Sequence, residues 1–136
     1  IDKYPYATQT NSTDIGDLVL LRYGGAGVSS ETDGYIVGGH TVGTNPGNSS
    51  PSWTRTNIDK FSFATGAQNA VDHGDLYVGS DNNTGCSSST HGYNYGDDTV
   101  GLKNQIQKFA YASNVTGTDV GNLTIDHMLS CGNIQY

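Results

Sequence analysis

The chain has 136 residues, which is the size of one domain and enough to bury a core. Its net charge of −7, with six Lys and Arg, argues against nucleic acid and anionic membranes as partners, because both require a basic surface. No apolar run approaches the ~20 residues of a membrane-spanning helix. Only 14% of the residues are charged and 19 are Gly, a composition typical of short strands joined by turns. We therefore expect an all-β fold.

One phrase occurs three times along the chain. It reads IDKYPYATQTNSTDIGDL over residues 1–18, IDKFSFATGAQNAVDHGDL over 58–76 and IQKFAYASNVTGTDVGNL over 106–123. Each copy begins with the apolar/polar alternation of a half-buried strand. Each then turns through Thr, Asn or Gly into D-x-G-[DN]-L and a second short strand. Such an internal repeat decides the fold, because each copy is expected to form the same structural unit.

A second phrase lies between the copies of the first. It reads ETDGYIVGG over residues 31–39 and STHGYNYGD over 89–97. In both places, the glycine of Gly-Tyr comes sixteen positions after the leucine of G-D-L. One unit is thus predicted to contain a Ser/Thr-led strand ending in Gly-Tyr, a strand ending in Gly-Gly, the I-D-K strand and the G-D-L strand. Four short strands separated by turn residues predict an antiparallel sheet the size of a propeller blade.

The order of these elements resembles the kelch repeat of β-propellers. The segment GYIVGG is similar to the double-glycine strand of that repeat, and NIDKFSFAT is similar to the strand that carries its aromatic residue. The chain departs from kelch in its fourth strand, where Leu18, Leu76 or Leu123 replaces the usual Trp, and at Gly96-Asp97, which replaces the second double glycine. The IDKF/GDL/GY-GG pattern is also similar to repeat segments of predicted phage and environmental surface proteins.

The spacing predicts a single domain, 1–136, with about three units' worth of sequence, divided roughly into 1–28, 29–86 and 87–136. Two units are complete, and a partial unit stands at each end of the chain. Propellers normally have at least four blades. We therefore expect either a larger propeller, or completion of the open ends by the chain's own tail or by a neighbouring copy. Strand addition is a common way of joining chains, and head-to-tail contacts form rings or filaments. The residues expected at this assembly edge are Ile1, Lys3, Tyr4, Tyr6, Ile134 and Tyr136.

The acid of D-x-G occurs in all three copies, at Asp14, Asp72 and Asp119. Its structural interpretation is a carboxylate that accepts backbone N–H groups of the following turn. A ring of carboxylates binding a cation is the alternative and requires the three to converge. SDNNTG has only the start of a calcium loop, and the His residues show no metal-ligand spacing. With no G-x-S-x-G elbow either, we expect no metal, no cofactor and no enzymatic activity.

The second unit, 29–86, has an insertion of ten residues that the third unit, 87–136, lacks. It falls in HTVGTNPGNSSPSWTRTN, which contains the only Trp. This segment is either a surface loop whose Trp covers the edge of the core or a recognition loop for sugar or protein. The residues expected to bind a ligand on this loop face are Trp53, Arg55, Tyr35 and Tyr93.

Two kinds of covalent modification are also expected. Cys86 and Cys131 can form one disulfide in an oxidising compartment, either between neighbouring units of one chain or between chains. Glycosylation sequons occur at Asn11, Asn48, Asn82, Asn114 and Asn122. In a chain so rich in Asn, Ser and Thr, these sequons are equally consistent with unmodified loop residues.

These features together predict an extracellular structural or adhesive protein on a cell or virion surface. It would be a subunit or segment of a surface appendage, fibre or filament, built by β-strand complementation between copies. The alternative is a carbohydrate-binding propeller or prism-like lectin. The expected partners are other copies of the chain and cell-surface glycans.

Overall fold

The computed structural model describes residues 1–41, 54–64, 66–96 and 104–126. These residues form ten β-strands, and every named strand pair is antiparallel. The all-β prediction is confirmed. Within the described ranges there is no helix of the length and apolarity needed to cross a membrane.

The strands form one short ladder and two larger sheets. The N-terminal ladder pairs β1 (Asp2–Lys3) with β2 (Thr13–Asp14). The first sheet has the order β3-β4-β5-β6, with bounds Ala26–Ser29, Asp33–Val37, Arg55–Ser62 and Val71–Ser80. The second sheet has the order β7-β8-β9-β10, with bounds Thr84–Ser87, His91–Tyr95, Gln105–Ala110 and Thr118–Asn122. Each sheet is a meander in which strands consecutive in sequence are neighbours.

Equivalent positions of the repeated phrases have equivalent cross-strand partners. The residue after the first Ile of the phrase lies opposite the D-x-G aspartate in all three copies, and the Gly of Gly-Tyr lies opposite a Phe in both sheets. The pairs are Asp2↔Asp14, Asp59↔Asp72 and Gln107↔Asp119, then Gly34↔Phe61 and Gly92↔Phe109. The similarity of the phrases is thus accompanied by the same strand register.

The predicted Ser/Thr-led strands are wrong, because these stretches form turns. The Oγ of Ser30 accepts the backbone N–H of Asp33 at 3.0 Å, and the Oγ of Ser88 accepts that of His91 at 3.1 Å. A hydroxyl that bonds its own backbone in this way favours a turn over a strand. The preceding strands are therefore β3 and β7, and Gly-Tyr lies inside β4 and β8.

The D-x-G aspartates perform the structural role expected of them. In each copy, the carboxylate accepts the N–H of the glycine two residues later, which has a positive φ that favours glycine. The bonds and φ values are 3.1 Å and 148° for Asp14 and Gly16, 3.0 Å and 102° for Asp72 and Gly74, and 2.9 Å and 140° for Asp119 and Gly121. The pKa of Asp119 is lowered by two hydrogen bonds, one from the Gln105 side chain and one from the Gly121 N–H.

The core lies between the two sheets. It contains Val28, Tyr35, Val37, Ile58, Leu76, Phe109 and Tyr111. The opposite face of β5 is also covered, since Asp59 is as buried as Ile58. Both faces of β5 are therefore packed at its centre, and its other six residues are half-buried, as predicted.

A buried ion pair joins β5 to the segment that follows β2. The guanidinium of Arg22 pairs with the carboxylate of Asp59, and both side chains are 1% exposed. Arg22 also donates to the carbonyls of Gly38 and Asn57, at 3.1 and 2.9 Å, and Asp59 accepts the N–H of Val19 at 2.8 Å. These bonds offset part of the desolvation of both charges.

The equivalent position in the next copy is Gln107, which makes a neutral version of the same link. Its Oε1 accepts the N–H of Val78 at 2.9 Å, and its Nε2 donates to the carbonyl of Val78 at 3.1 Å. The side chain after the first Ile of the phrase therefore joins the first sheet to the segment after β2, and the second sheet to β6.

Replacing Gly92 with Ala is expected to destabilise the second sheet. A Cβ at this position would overlap the ring of Phe109 and approach Val28 at 3.0 Å. Overpacking of this kind costs about 1–3 kcal/mol. Urea unfolding measures the loss, with Gly27→Ala as the control, since a Cβ at Gly27 meets nothing within 4 Å. Equal unfolding midpoints for the two variants would contradict the packing described.

Asp59→Ala is expected to cost about 3–5 kcal/mol, because it leaves the buried Arg22 charge without its partner. The double variant Arg22→Met/Asp59→Leu should recover most of that free energy, since it removes both charges and keeps apolar volume. Chemical denaturation of the parent, Arg22→Met, Asp59→Leu and the double variant gives the coupling energy between the two sites. Additive effects of the two substitutions would show that the ion pair does not link the layers.

Candidate functional site

The site begins with a tyrosine that fills the space between the two sheets. Tyr35 is 1% exposed and stacks on Tyr111, with ring centroids 4.8 Å apart and planes inclined by 19°. The edges of Phe109 and His73 contact it, with centroids at 5.8 and 5.0 Å. The Nζ of Lys60 lies 5.9 Å from the ring centroid. We call these surroundings the Tyr35 site.

The strand register explains how these groups meet. Tyr35 lies directly opposite Lys60, so both side chains leave the same face of the first sheet. The carboxylate of Asp33 lies 3.3 Å from the Lys60 ammonium, beside the ring. Burial raises the pKa of the Tyr35 phenol, and the Lys60 charge offsets part of the rise. The ring thus belongs in the site in its neutral form.

A groove of about 560 Å³ lies between the N-terminal ladder and the first sheet. Its walls come from β1 and the residues that follow it, from one residue beyond β2, and from the end of β5. They are Ile1, Asp2, Lys3, Tyr4, Pro5, Tyr6, Ile15, Phe61, Ser62 and Phe63. We call it the edge groove.

The edge groove repeats the walls of the Tyr35 site one copy earlier in the chain. Matching the repeated phrases places Lys3 at the position of Lys60, Ile15 at that of His73, Phe61 at that of Phe109 and Phe63 at that of Tyr111. The burial of these walls differs. Phe63 is 46% exposed, whereas Tyr111, under the ring of Tyr35, is 9% exposed.

The strand edge beside this groove is open within the described ranges. Strands β5 and β9 each pair on both sides, but β1 pairs with β2 alone. Tyr4 and Tyr6 follow β1 with their rings in an edge-to-face contact at 4.9 Å, and they are 54% and 83% exposed. Four residues predicted at the assembly edge therefore come together here, namely Ile1, Lys3, Tyr4 and Tyr6. Ile134 and Tyr136 lie outside the described residues.

The residues predicted to bind a ligand on the loop face do not form one site in the part of the chain described. Tyr35 is wrong as a surface contact, because its ring is inside the core. Arg55 lies in the first sheet and donates to the Oγ1 of Thr41 from Nη2 at 2.7 Å and from Nε at 3.2 Å. Tyr93 is half-buried in the second sheet, opposite Cys86 and Lys108. Trp53 lies outside the described residues.

The predicted modification sites have mixed settings. Cys86 is a half-buried free thiol in β7 whose pKa is raised by burial, and Cys131 lies outside the described residues, so the disulfide stays a prediction. Asn11, Asn114 and Asn122 are exposed, Asn82 is half-buried, and Asn48 lies outside the described residues. Glycosylation also stays a prediction.

The described ranges contain no group of three His, Cys, Asp or Glu side chains arranged to hold a metal ion. A smaller polar cluster lies at the end of the first sheet, where the Tyr23 hydroxyl is 2.8 Å from the Nδ1 of His40. The same Nδ1 is 3.6 Å from a carboxylate oxygen of Asp81.

No family model matches the chain, and no curated protein matches it. The edge groove must therefore be interpreted from its own geometry. Ile15, Phe61 and Phe63 were not among the predicted site residues. The signal of Phe61 and Phe63 in the sequence is the K-aromatic-x-aromatic spacing, which all three copies of the phrase share, and Ile15 is the middle residue of D-x-G.

The stability of the chain should fall at alkaline pH in part because of Tyr35. Its pKa in the folded state is above the unfolded value near 10. The stabilisation is therefore fully present below about pH 10 and is lost as the pH rises through the folded pKa. Between about pH 9 and about pH 12, the range around the phenol pKa, the unfolding free energy of Tyr35→Phe should decline less steeply than that of the parent chain. Tyr77→Phe, on a ring 58% exposed, is the control and should follow the parent.

Proposed function

We propose that this chain is a structural subunit of an extracellular fibre, filament or surface appendage, and that it assembles by addition of a β-strand at the open edge of β1. The observation that supports the proposal is the apolar edge groove lying beside a strand edge that no described residue pairs. Strand addition uses main-chain hydrogen bonds for affinity and pockets for alternate side chains for specificity. The edge groove offers such a pocket.

The exposure of this edge also favours an assembly function. An uncovered strand edge is an aggregation hazard that proteins usually block with charge, proline or a covering segment. This edge has such blocking residues in Asp2, Lys3 and Pro5, but it also carries two exposed tyrosines, and aromatic side chains of this kind are enriched at protein interfaces. A strand edge that accepts a different segment of the next copy makes head-to-tail contacts, and these extend to rings or filaments.

The matched registers of the two sheets support a second part of the proposal, that the sheets are kelch-like, blade-like repeat units. Each sheet has the same strand order, the same Gly opposite Phe and the same D-x-G turn. The lectin alternative loses one of its four predicted contacts, since Tyr35 packs in the core.

Assembly is tested by sedimentation velocity over a range of protein concentrations. We expect the parent chain to form oligomers or filaments, and the double variant Tyr4→Lys/Tyr6→Lys to remain monomeric, because two charges cannot be buried against an incoming strand. Both tyrosines are exposed, so the variant should fold. Tyr77→Lys, on an exposed ring away from the groove, is the control and should assemble like the parent. A parent chain that stays monomeric at every concentration would refute the proposal.

A further inference from the structure

We propose that the edge groove binds the tyrosine ring of an incoming strand with the sequence Asp-Gly-Tyr, paired antiparallel to β1 and supplied in trans by a partner chain in which that segment is unpaired. A folded copy of this chain does not supply it, because its own Asp-Gly-Tyr lies in β4, which pairs on both sides and buries Tyr35. This inference rests on the proposed strand addition and specifies the partner. Its support is that the chain already contains the complete arrangement one copy further along, in the Tyr35 site.

The register of the incoming strand follows from the two sheets. In the first sheet, Gly34 lies opposite Phe61 and Tyr35 opposite Lys60. In the second, the Gly and Tyr of the same dipeptide lie opposite the same two positions of the phrase. Around β1 these positions are Tyr4 and Lys3. The incoming Gly therefore pairs with Tyr4 and the incoming Tyr with Lys3.

The glycine is required by the aromatic ring that covers it. A Cβ at Gly34 would overlap the ring of Phe61, and a Cβ at Gly92 would overlap that of Phe109. Tyr4 occupies the same place in its copy and is 54% exposed. A strand with glycine at this position lets the Tyr4 ring lie flat over its backbone, and any side chain there prevents that contact.

The tyrosine is required by the shape of the groove. A residue opposite Lys3 leaves the same face of the ladder as Lys3, and this face lines the groove. The ring then meets Ile15, Phe61 and Phe63, as Tyr35 meets His73, Phe109 and Tyr111. Burying Phe63, which is now 46% exposed, removes apolar area from water and stabilises the complex.

The acid before the glycine is favoured by charge. In the first sheet, the Asp33 carboxylate lies 3.3 Å from the Lys60 ammonium. Lys3 holds the equivalent position and is exposed. An Asp-Gly-Tyr strand places its carboxylate beside Lys3, whereas the His-Gly-Tyr of the second phrase does not. The segment ETDGYIVGG of residues 31–39 therefore represents the partner better than STHGYNYGD.

The test uses a dye-labelled peptide with the sequence of residues 31–39 and the full chain, with binding followed by fluorescence anisotropy. We expect saturable binding that falls at least tenfold when the peptide carries Gly34→Val or Tyr35→Ala. Asp33→Ala should weaken binding less, and mainly at low salt, because the pair with Lys3 is exposed to solvent. Phe63→Ala in the protein should weaken binding, and Tyr77→Ala should not.

Three results would overturn the inference. The first is no binding at any peptide concentration reached. The second is equal binding of the parent and Gly34→Val peptides, which would mean that no ring covers the glycine. The third is binding of N-acetyltyrosinamide as tight as that of the peptide, which would make the occupant a small aromatic ligand instead of a strand.

The inference and the proposed function can fail separately. If the chain assembles but neither binds the peptide nor loses assembly in its presence, assembly stands and the Asp-Gly-Tyr partner is wrong. If the peptide binds with the expected dependence on Gly and Tyr but the chain remains monomeric, the partner is right and self-assembly is wrong.

Discussion

The ring of Tyr35 is the contact on which the arrangement of the two sheets depends. It stacks on Tyr111, meets the edges of Phe109 and His73, and lies under the ammonium of Lys60. A single side chain on the second strand of one sheet thus joins the third and fourth strands of its own sheet to the third strand of the next. Gly34, the residue before it, contributes to the same packing, because it lets the cross-strand ring of Phe61 lie over the backbone.

The aromatic pair of the repeated phrase becomes more buried from the first copy to the third. The aromatic pair of the third copy is buried beneath Tyr35, that of the second is half-covered beside the edge groove, and that of the first is exposed. The same chemical pattern therefore appears as core, as groove and as surface. We therefore infer the partner of the edge groove from the Tyr35 site, whose walls the groove repeats.

The sequence predicted the parts of this account that depend on local chemistry. Composition predicted the all-β fold. The D-x-G motif predicted a turn stabilised by its aspartate, since a carboxylate two residues before a glycine can reach the N–H of that glycine. The Ser/Thr stretches misled, because hydroxyls that bond nearby backbone form turns even among β-forming residues. The role of Tyr35 was not predictable from one strand: an aromatic residue after glycine fits a surface site as well as a core until the neighbouring sheet is placed. Ile15 and Phe63 were missed because their role as walls of the edge groove depends on two copies of the phrase meeting across it.

The central claim is that the edge groove accepts the tyrosine ring of a Gly-Tyr strand, and intermolecular nuclear Overhauser effects test it most directly. A chain with labelled isoleucine methyl groups is mixed with an unlabelled peptide of residues 31–39. The account predicts contacts from the peptide tyrosine ring to the methyl groups of Ile15, within the roughly 5 Å separation of the ring contacts seen around Tyr35. Peptide contacts confined to methyl groups outside the groove, such as those of Ile125, would contradict it.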